Sequence, residues 1–481
     1  MIQRLYLALD QGGHASRAIL FDAKGSAVAQ SYAPIATVRP AADRVEHDPE
    51  QICESLRTAI EDASHHVAGE HHLIAAGLAT QRSSIVCWDR HSGAALSPVI
   101  SWQDRRNAAL IKGLQEHAAE IHDRTGLVLS PHYGASKLRW CLDNLPAVAE
   151  AARGGRLAFG PLSSFLLFRL LDEHRLLVDP ANASRTQLYD PGVRDWSPQL
   201  LQLFGIPRAG LPQPVSTCHE FGHISVGKQS VPLRICTGDQ STVPFAFGPA
   251  RLACAYINLG TGAFIQCPLS EPIVAAPLLT SVIWSDTRCV MYALEGTING
   301  AASALDWFSE TQGVDAQRML ATLAPGAARD LRPPLFLNGV SGLGSPFWVP
   351  DFESRFVGDG SAEERLLALL ESILFLIRVN LDEMQHAGTR LERVIVTGGL
   401  AASDWLCQRL ADLLSLPIQR YEELEATARG LGFLVADQPA EWLLAGKVHL
   451  FAPVADSALL ERFFTWLKEM KRAVAAAATA A

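Results

Sequence analysis

The sequence is poor in charge, in sulfur and in long apolar runs, and each shortage excludes a class of protein. Charged residues make up 19% of the 481 residues, below the roughly 25% of ordinary globular chains, while hydrophobic residues reach 48%. This composition excludes a chain that is disordered as a whole, since disorder requires low hydrophobicity and high charge. It also supplies apolar material for a large core, and at roughly 100–200 residues per domain the length suggests about two to four domains.

Positive charge is scarce as well. Lys and Arg number 41 against 50 Asp and Glu, which gives a formal net charge of −9 at pH 7. Nucleic-acid-binding scaffolds usually carry a basic footprint, so we expect no nucleic-acid partner. The balance still allows an anionic ligand, because a phosphate site needs only a few local donors.

Cysteine is sparse, and its nine residues are scattered without any Cys-x-x-Cys pair. This pattern is typical of reduced, mostly buried thiols in a cytoplasmic protein. No clean apolar run reaches about 18 residues, and Asp10 interrupts the first apolar stretch before the core of a signal peptide could form. We therefore expect a cytoplasmic protein without a membrane partner.

Glycine-rich turns between apolar strands occur at two places and divide the chain into two similar parts. Residues 3–22 predict a strand, a tight turn and a second strand, and residues 253–269 repeat this plan. A helix over 48–68, with an Asp-Pro-Glu start, and a further strand follow the first hairpin. The order predicts an α/β fold with two domains of similar architecture, over 1–247 and 248–481.

Polar turns at strand ends form a set that suits phosphoryl transfer. Asp10 ends the first strand before Gln-Gly-Gly, where a carboxylate can hold hydrated Mg²⁺ and backbone N–H groups can approach phosphate. Asp239 follows another apolar strand, a good position for a general base. The turns at Gly260-Thr261 and at Gly399 offer backbone contacts to a nucleotide. Each is compatible with an ordinary turn when taken alone, but together they supply what the reaction requires.

One motif points to different chemistry. Residues 219–223 read His-Glu-x-x-His, the zinc-protease motif, which requires a helix to bring both histidines onto one face. Prolines and β-branched residues flank it and Gly222 lies inside it, so we expect a surface turn between strands. A metalloprotease is therefore a minor alternative.

Ten motifs in order, from residue 7 to about 435, resemble the FGGY family of carbohydrate kinases and within it most closely the glycerol kinases. They are LDQGGHASRAILFD, RVEHDPEQI, TQRSSIVCWD, ISWQDRR, NASRT, TGDQS, NLGTGAF, YALEG, GVSGLGSPFW and VTGGLAASDWLCQRLADLL. The resemblance implies two actin-like, hexokinase-like (ribonuclease H-like) α/β domains flanking a catalytic cleft. It implies ATP- and Mg²⁺-dependent phosphorylation of a hydroxyl of glycerol or a related small polyol or sugar. The family often forms dimers, although no interface signature is visible.

The resemblance also implies residue roles. Asp239 would be the catalytic base, and Asp10 and Asp239 would lie at the Mg²⁺. The acceptor would contact Arg82, Ser83, Trp102, His132, Asp239, Gln240 and Phe264. The nucleotide would contact Gly12, Gly13, His14, Arg17, Gly260, Thr261, Ala302, Gly399 and Ser403.

Departures from the glycerol kinase pattern affect both ligands. Gly13 and His14 replace two threonines, so two hydroxyls near the phosphates are lost. Ser83 replaces a glutamate that binds glycerol hydroxyls, and His132 replaces a tyrosine that contacts the substrate. A site built to hydrogen-bond a hydroxyl discriminates strongly between acceptors. Loss of the glutamate should therefore weaken the binding of glycerol in particular. We therefore expect that another small polyol or sugar could be the acceptor.

The same departures motivate an alternative. Near the nucleotide, Ala302 and Asp306 replace a glycine and a glutamine, and Ser403 replaces an asparagine. A catalytically silent regulator that binds a nucleotide or sugar on a kinase fold would tolerate such changes. Retention of Asp239 argues against it, since a pure binder has no need of a base.

Overall fold

The computed structural model describes residues 2–323, 333–422, 425–442 and 447–480, with side chains of the last helix as far as residue 477. The strands are β1 (Gln3–Gln11), β2 (Ala15–Phe21), β3 (Ala27–Pro34), β4 (Val38–Ala41), β5 (Arg44–His47), β6 (His71–Thr80), β7 (Ile85–Asp89), β8 (Val99–Ile100), β9 (Leu157–Pro161), β10 (Leu177–Val178), β11 (Tyr189–Asp190), β12 (Asp195–Trp196), β13 (Gln213–Pro214), β14 (Cys218–Val226), β15 (Gln229–Gly238), β16 (Cys254–Leu259), β17 (Ala263–Leu269), β18 (Leu279–Ser285), β19 (Val290–Ile298), β20 (Leu335–Leu337), β21 (Arg355–Val357), β22 (Arg393–Thr397), β23 (Ile418–Tyr421) and β24 (Val448–Phe451). The helices are α1 (Pro49–His65), α2 (Ala108–Gly113), α3 (Ala118–Thr125), α4 (Gly134–Asn144), α5 (Pro146–Arg153), α6 (Leu162–Leu170), α7 (Pro180–Ala183), α8 (Pro198–Phe204), α9 (Asp239–Thr242), α10 (Ala302–Gln312), α11 (Ala316–Ala321), α12 (Ala362–His386), α13 (Asp404–Leu414), α14 (Ala426–Val435) and α15 (Ser457–Ala480).

A six-stranded sheet in the order β14-β15-β6-β1-β2-β3 forms the centre of the N-terminal half. Its three middle strands, β15, β6 and β1, run parallel, so their carboxyl ends meet at one edge. The predicted hairpin of β1 and β2 is confirmed. The predicted first helix is α1, which Asp48 caps with its side chain and Pro49 begins. Its apolar face packs with Leu7 and Leu20 of the sheet in one core.

A seven-stranded sheet in the order β18-β19-β17-β16-β22-β23-β24 forms the centre of the C-terminal half. The predicted second hairpin is confirmed as β16 and β17, and β16 runs parallel to β22. The long helix α12 is buried along most of its length, with Trp405 of α13 and Trp466 of α15 in the same core. Each half thus combines a glycine-turn hairpin with parallel strands and covering helices, the repeated plan expected from the sequence.

Helix α14 belongs to the C-terminal part of the chain but packs on the N-terminal sheet. Its Leu431 and Val435 share a core with Ala8, Ala75 and Ile235, which face the side of the sheet opposite α1. The approach is close because β6 has a glycine there. A Cβ on Gly77 would lie 2.5 Å from Val435 Cγ2 and 2.9 Å from Leu431 Cδ1. Helix α14 therefore connects the two halves of the chain, on the face of the N-terminal sheet opposite α1.

The His-Glu-x-x-His motif lies inside strand β14, so the expected surface turn is wrong and the helix of a zinc protease is absent. Residues four apart in a strand are about 13 Å apart, too far for one metal ion. His223 instead contacts Glu173, with Nδ1 2.8 Å from Oε1. Among the described residues, no group of three potential ligands is arranged to hold a metal.

The sulfur and hydropathy patterns have structural counterparts. All nine cysteines are free, and seven of them are buried. Within the described ranges, no helix combines the length and the apolar character that crossing a membrane requires.

The tight contact at Gly77 gives a stability prediction. Gly77→Ala should lower the free energy of unfolding by about 1–3 kcal/mol, because the added methyl group must displace the side chains of α14. Urea denaturation measures the effect. Gly113→Ala is the matched control, since a Cβ there meets no atom within 4 Å. Equal stability of the two variants would contradict this account of the interface.

Candidate active site

The ends of three neighbouring parallel strands bring the predicted reactive residues together. Asp10 lies at the end of β1, Arg82 follows β6, and Asp239 follows β15 as the first residue of α9. The register places Asp10 beside Ala79 of β6, and Gly238 beside the next residue of that strand. Residues far apart in sequence therefore converge because the sheet aligns the ends of β1, β6 and β15.

Asp10 and Asp239 are two carboxyl groups at this edge that differ in burial. Asp10 is buried, whereas the side chain of Asp239 is 24% exposed. Burial, and next the charge of Asp239, raises the pKa of Asp10 to about 7, although Arg17 opposes this with its Nη1 3.6 Å from Asp10 Oδ2. Desolvation also raises the pKa of Asp239, and Arg82 opposes that shift. A carboxylate whose charge disfavours the ionisation of its neighbour fits a divalent cation near the pair. Mg²⁺ is typically held by one or two carboxylates, with waters and phosphate oxygens as its other ligands.

A buried carboxylate from the other half of the chain fixes the arginine of this site. Glu295 lies on β19 and accepts a hydrogen bond from Arg82 Nη1 at 2.7 Å. Arg185, which follows α7, forms a second ion pair with Glu295, and Gln266 Nε2 donates to it at 3.1 Å. Arg82 Nε lies 3.9 Å from Asp239 Oδ1. This cluster, the Glu295 cluster, connects the N-terminal and C-terminal halves through buried ion pairs.

The charged side chains of Arg82, Arg185 and Glu295 are at most 9% exposed. Burial and the neighbouring Arg82 lower the pKa of Arg185 to about 9, and burial also lowers the pKa of Arg82. Burial thus disfavours the charge of both arginines, and the carboxylate of Glu295 pairs with both of them. Gly238 makes room for Arg82, because a Cβ there would lie 2.5 Å from Arg82 Cδ.

Glu295 and Arg185 had no predicted role, although both lie in motifs that the sequence singles out. The available signal was a charged residue inside an otherwise apolar strand, Tyr-Ala-Leu-Glu-Gly, and an arginine in Asn-Ala-Ser-Arg-Thr. A charge in such a place needs a buried partner. The sequence did not indicate which partner, because the two residues meet only through the packing of the two halves.

The aromatic residues predicted for the acceptor lie side by side. The ring centroids of Trp102 and His132 are 5.8 Å apart, and Tyr133 stacks edge-on against His132 at 4.9 Å. Gly13 lies next to them, since a Cβ on it would be 3.9 Å from Trp102 Nε1. Burial, with the charge of Lys137 next in effect, holds the pKa of His132 well below its usual value. A neutral imidazole can donate to or accept from a hydroxyl group.

The other residues predicted to contact the acceptor are Ser83, Gln240 and Phe264, and each has a different local setting. Ser83 is buried and has φ 63°, a left-handed conformation. The backbone N–H of Gln240 donates to Asp239 Oδ1 at 2.7 Å and so orients the predicted base. Phe264 lies on β17 two residues before Gln266, and residues two apart share a face of a strand. It therefore points toward the side where Glu295 lies.

Hydrogen bonds hold the first glycine turn, which lies between β1 and β2. Gly12 N–H donates to Ala15 O at 2.9 Å, which closes the hairpin. The side-chain amides of Gln11 and Gln81 donate to Gly12 O at 2.7 and 3.3 Å. His14 is exposed at the tip. The predicted phosphate contacts nearest Asp10 are therefore backbone donors and Arg17.

Arg17 already has a partner in the C-terminal part of the chain. Its Nη1 lies 2.8 Å from Glu425 Oε2, just before α14, and both side chains are about two-fifths exposed, at 40% each. A phosphate group would compete with this carboxylate for Arg17. The contact is a second connection between the halves, and it is far more exposed than the Glu295 cluster.

The predicted nucleotide residues of the C-terminal half form two adjacent turns. The backbone N–H of Ala302, at the start of α10, donates to Gly260 O at 3.0 Å, and its neighbours Ala301 and Ser303 both donate to Thr261 O at 3.1 Å. Thr261 is exposed at the tip. The first turn is therefore pinned to the start of α10.

The second turn follows β22 and lies against the end of β16. Gly398 has φ 89°, and a Cβ there would lie 2.5 Å from Leu259 O, so only glycine fits. Gly399 is open, since a Cβ added to it would meet no atom within 4 Å. Ser403 has a structural role as the N-cap of α13, where its hydroxyl accepts from Leu406 N–H at 3.3 Å.

Comparison with known proteins identifies the family of the chain. The FGGY family of carbohydrate kinases matches the chain with its N-terminal domain over residues 5–246 and its C-terminal domain over 255–436. A glycerol kinase of Citrifermentans bemidjiense is 34% identical over 477 residues, which cover 97% of this chain and 95% of that protein. A glycerol kinase of Methylobacterium nodulans is 36% identical over 488 residues, covering 96% and 94%.

Solved structures share the fold. A Plasmodium falciparum glycerol kinase with ADP has a TM-score of 0.88 at 22% identity, covering 98% of both chains. A ligand-bound xylulose kinase of Lactobacillus acidophilus has a TM-score of 0.84 at 18% identity, covering 99% of this chain and 100% of that one. The fold is therefore the two-domain α/β fold of the carbohydrate kinases, as the sequence predicted. The chain belongs to the FGGY family of carbohydrate kinases.

The Glu295 cluster gives a second prediction. Glu295→Gln should lower the free energy of unfolding by about 3–5 kcal/mol, because it leaves two buried arginines without their counter-charge. Thermal and urea unfolding measure it. Glu310→Gln, on the exposed side of α10, is the control. A Glu295→Gln variant as stable as the control would show that the cluster contributes little to joining the halves.

Proposed function

We propose that this carbohydrate kinase transfers the γ-phosphoryl group of ATP to a hydroxyl of a small polyol or sugar, with Asp239 as the general base. The observation that carries the proposal is the convergence of Asp239, Asp10 and Arg82 at three adjacent strand ends. Neither the catalytic silence nor the proteolysis considered as alternatives needs this arrangement.

The chemistry follows from the positions of these groups. Asp239 accepts the proton of the acceptor hydroxyl while that oxygen bonds to the γ-phosphorus and the bond to ADP breaks. Desolvation raises the pKa of Asp239, which makes it a stronger base, and the nearby Arg82 opposes that shift by favouring the carboxylate. Asp10 and Asp239 would hold Mg²⁺, which supplies neutralisation of the phosphate charge. The turns at Gly12 and Gly260, whose own N–H groups close their hairpins, would orient the phosphates through neighbouring backbone N–H groups.

The division of labour between domains is part of the proposal. We assign acceptor binding to residues 1–247, which carry Arg82, Trp102 and His132, and nucleotide binding to residues 248–481, which carry the two glycine turns. The matched family domains, which run over 5–246 and 255–436, support a boundary in this region. A homodimer and a cytoplasmic location stay predictions from the sequence.

The first experiment identifies the acceptor. ADP release with MgATP is measured across glycerol, erythritol, the ketopentoses, small aldoses and dihydroxyacetone. We expect turnover on at least one acceptor and its loss by at least about a hundredfold in Asp239→Asn, since general base catalysis contributes about 10²–10⁴-fold. Asp123→Asn, an exposed position on α3, is the control. Silence on every acceptor with ATP still bound would favour the regulator.

The acceptor preference gives a further prediction. Glycerol should be a poor substrate, because Ser83 is too short to replace the glutamate of the glycerol kinases and is itself buried. Ser83→Glu should raise kcat/KM for glycerol relative to the preferred acceptor, measured in the same assay. Ser92→Glu, on an exposed turn, is the control. Efficient use of glycerol by the native protein would contradict the argument from Ser83.

A further inference from the structure

A lysine with no exposed surface lies behind the predicted acceptor pocket. Lys137 is on α4, with 0% relative exposure. Its ammonium group donates to three backbone carbonyls: Ser83 O at 3.1 Å, Ser101 O at 2.8 Å and His132 O at 2.6 Å. An ammonium group has three N–H donors, and all three are used here.

The three carbonyls belong to three separate segments of the chain. Ser83 is in the turn after β6, Ser101 follows β8, and His132 precedes α4. Each segment carries or adjoins a predicted acceptor contact, since Ser83 and His132 are such contacts and Trp102 follows Ser101. No other side chain among the described residues bonds to all three.

We propose that Lys137 is a positioning residue that ties the three acceptor-contacting segments into one rigid wall of the acceptor pocket. This inference rests on the proposed function for its link to catalysis. Lys137 does not contact the acceptor itself, because its three donors point to backbone carbonyls. It acts by fixing where Ser83, Trp102 and His132 present their side chains.

The local backbone supports this role. Ser83 has the left-handed φ of 63°, which costs energy for a residue other than glycine and requires the surroundings to hold it. The bond to its carbonyl supplies such a constraint. The next residue, Ser84, accepts the N–H of Trp102 at 3.0 Å and donates to Gln81 Oε1 at 2.9 Å. The first and second segments are thus bonded to each other as well as to Lys137.

The buried charge of Lys137 also argues for a positioning role. Burial lowers the pKa of Lys137 to about 7, the charges of Arg105 and Arg106 act in the same direction, and Asp104 opposes them. Among the described residues, no carboxylate forms an ion pair with Lys137, since Asp104 pairs with Arg106. A buried cation surrounded only by carbonyls is expensive for folding alone. An apolar side chain would fill the same space, but it could not hold three carbonyls.

The test is Lys137→Met, which fills most of the space of the lysine stem and removes its donors. Hydrogen–deuterium exchange should be faster in residues 81–84, 100–103 and 130–133 together, and unchanged in β16 of the other half. For the acceptor found in the panel, KM should rise and kcat/KM should fall roughly tenfold to a hundredfold. The affinity for the non-hydrolysable analogue AMP-PNP with Mg²⁺ should stay as in the native protein.

Two controls keep the test decisive. Lys112→Met, on the exposed face of α2, should change none of these quantities. If Lys137→Met does not fold, Lys137→Gln, which retains two donors, replaces it in the same comparison. Unchanged exchange in the three segments, or faster exchange throughout the chain, would overturn the proposal, and so would an unchanged acceptor KM. A native protein that phosphorylates nothing would overturn the proposed function, while the exchange pattern would still decide whether Lys137 ties the segments.

Discussion

The ion pairs of Glu295 with Arg82 and Arg185 are the interaction on which the cleft depends. They connect a strand of the C-terminal sheet to two loops of the N-terminal half, at a depth where an unpaired charge would be strongly destabilising. Because both carboxylate oxygens of Glu295 are engaged, Arg82 has little freedom to turn away from Asp239. The contact that joins the two halves therefore also sets the geometry of the predicted base.

A second constraint comes from the sheet itself. Parallel strands end at the same edge, so β1, β6 and β15 deliver a carboxylate, an arginine and a second carboxylate to one place. Burial first, and then the charge of Asp239, opposes the ionisation of Asp10 and raises its pKa to about 7. A divalent cation would relieve this conflict. The electrostatics of the site are thus consistent with phosphoryl transfer, which gathers several negative groups in one cleft.

The departures from the glycerol kinase pattern fall on side chains and leave the backbone framework in place. The turns at Gly12 and Gly260 keep their hydrogen bonds, and Gly398 keeps the close approach that only glycine allows. The changed positions lie at both predicted sites: Ser83 and His132 on the acceptor side, and Gly13, His14, Ala302, Asp306 and Ser403 on the nucleotide side. The unchanged positions Asp10, Arg82 and Asp239 converge in the structure. Their retention fits a kinase with an altered acceptor better than a silent regulator, since the predicted base keeps its contact with the N–H of Gln240.

The local elements could be predicted from the sequence alone. Glycine turns between apolar strands predicted both hairpins, and Asp48 and Pro49 predicted the start of α1, because short-range propensity and spacing determine such features. The resemblance of the ordered motifs predicted the family and pointed to Asp10, Arg82 and Asp239, which the structure brings together and whose roles stay predictions. The prediction failed at the zinc-protease motif, where pairing with a neighbouring strand produced β14 instead of a turn.

Which distant residues meet depends on tertiary packing. Glu295 and Arg185 lay within motifs already noted, yet their pairing with Arg82 depends on how two sheets pack against each other. Nothing in the sequence distinguishes Lys137 from other residues of a helix. Its three carbonyl partners belong to segments that no sequence spacing connects. The physical reason is that burial creates these interactions: an ion pair or a donor becomes decisive only where water is excluded, and exclusion is a property of the packed chain.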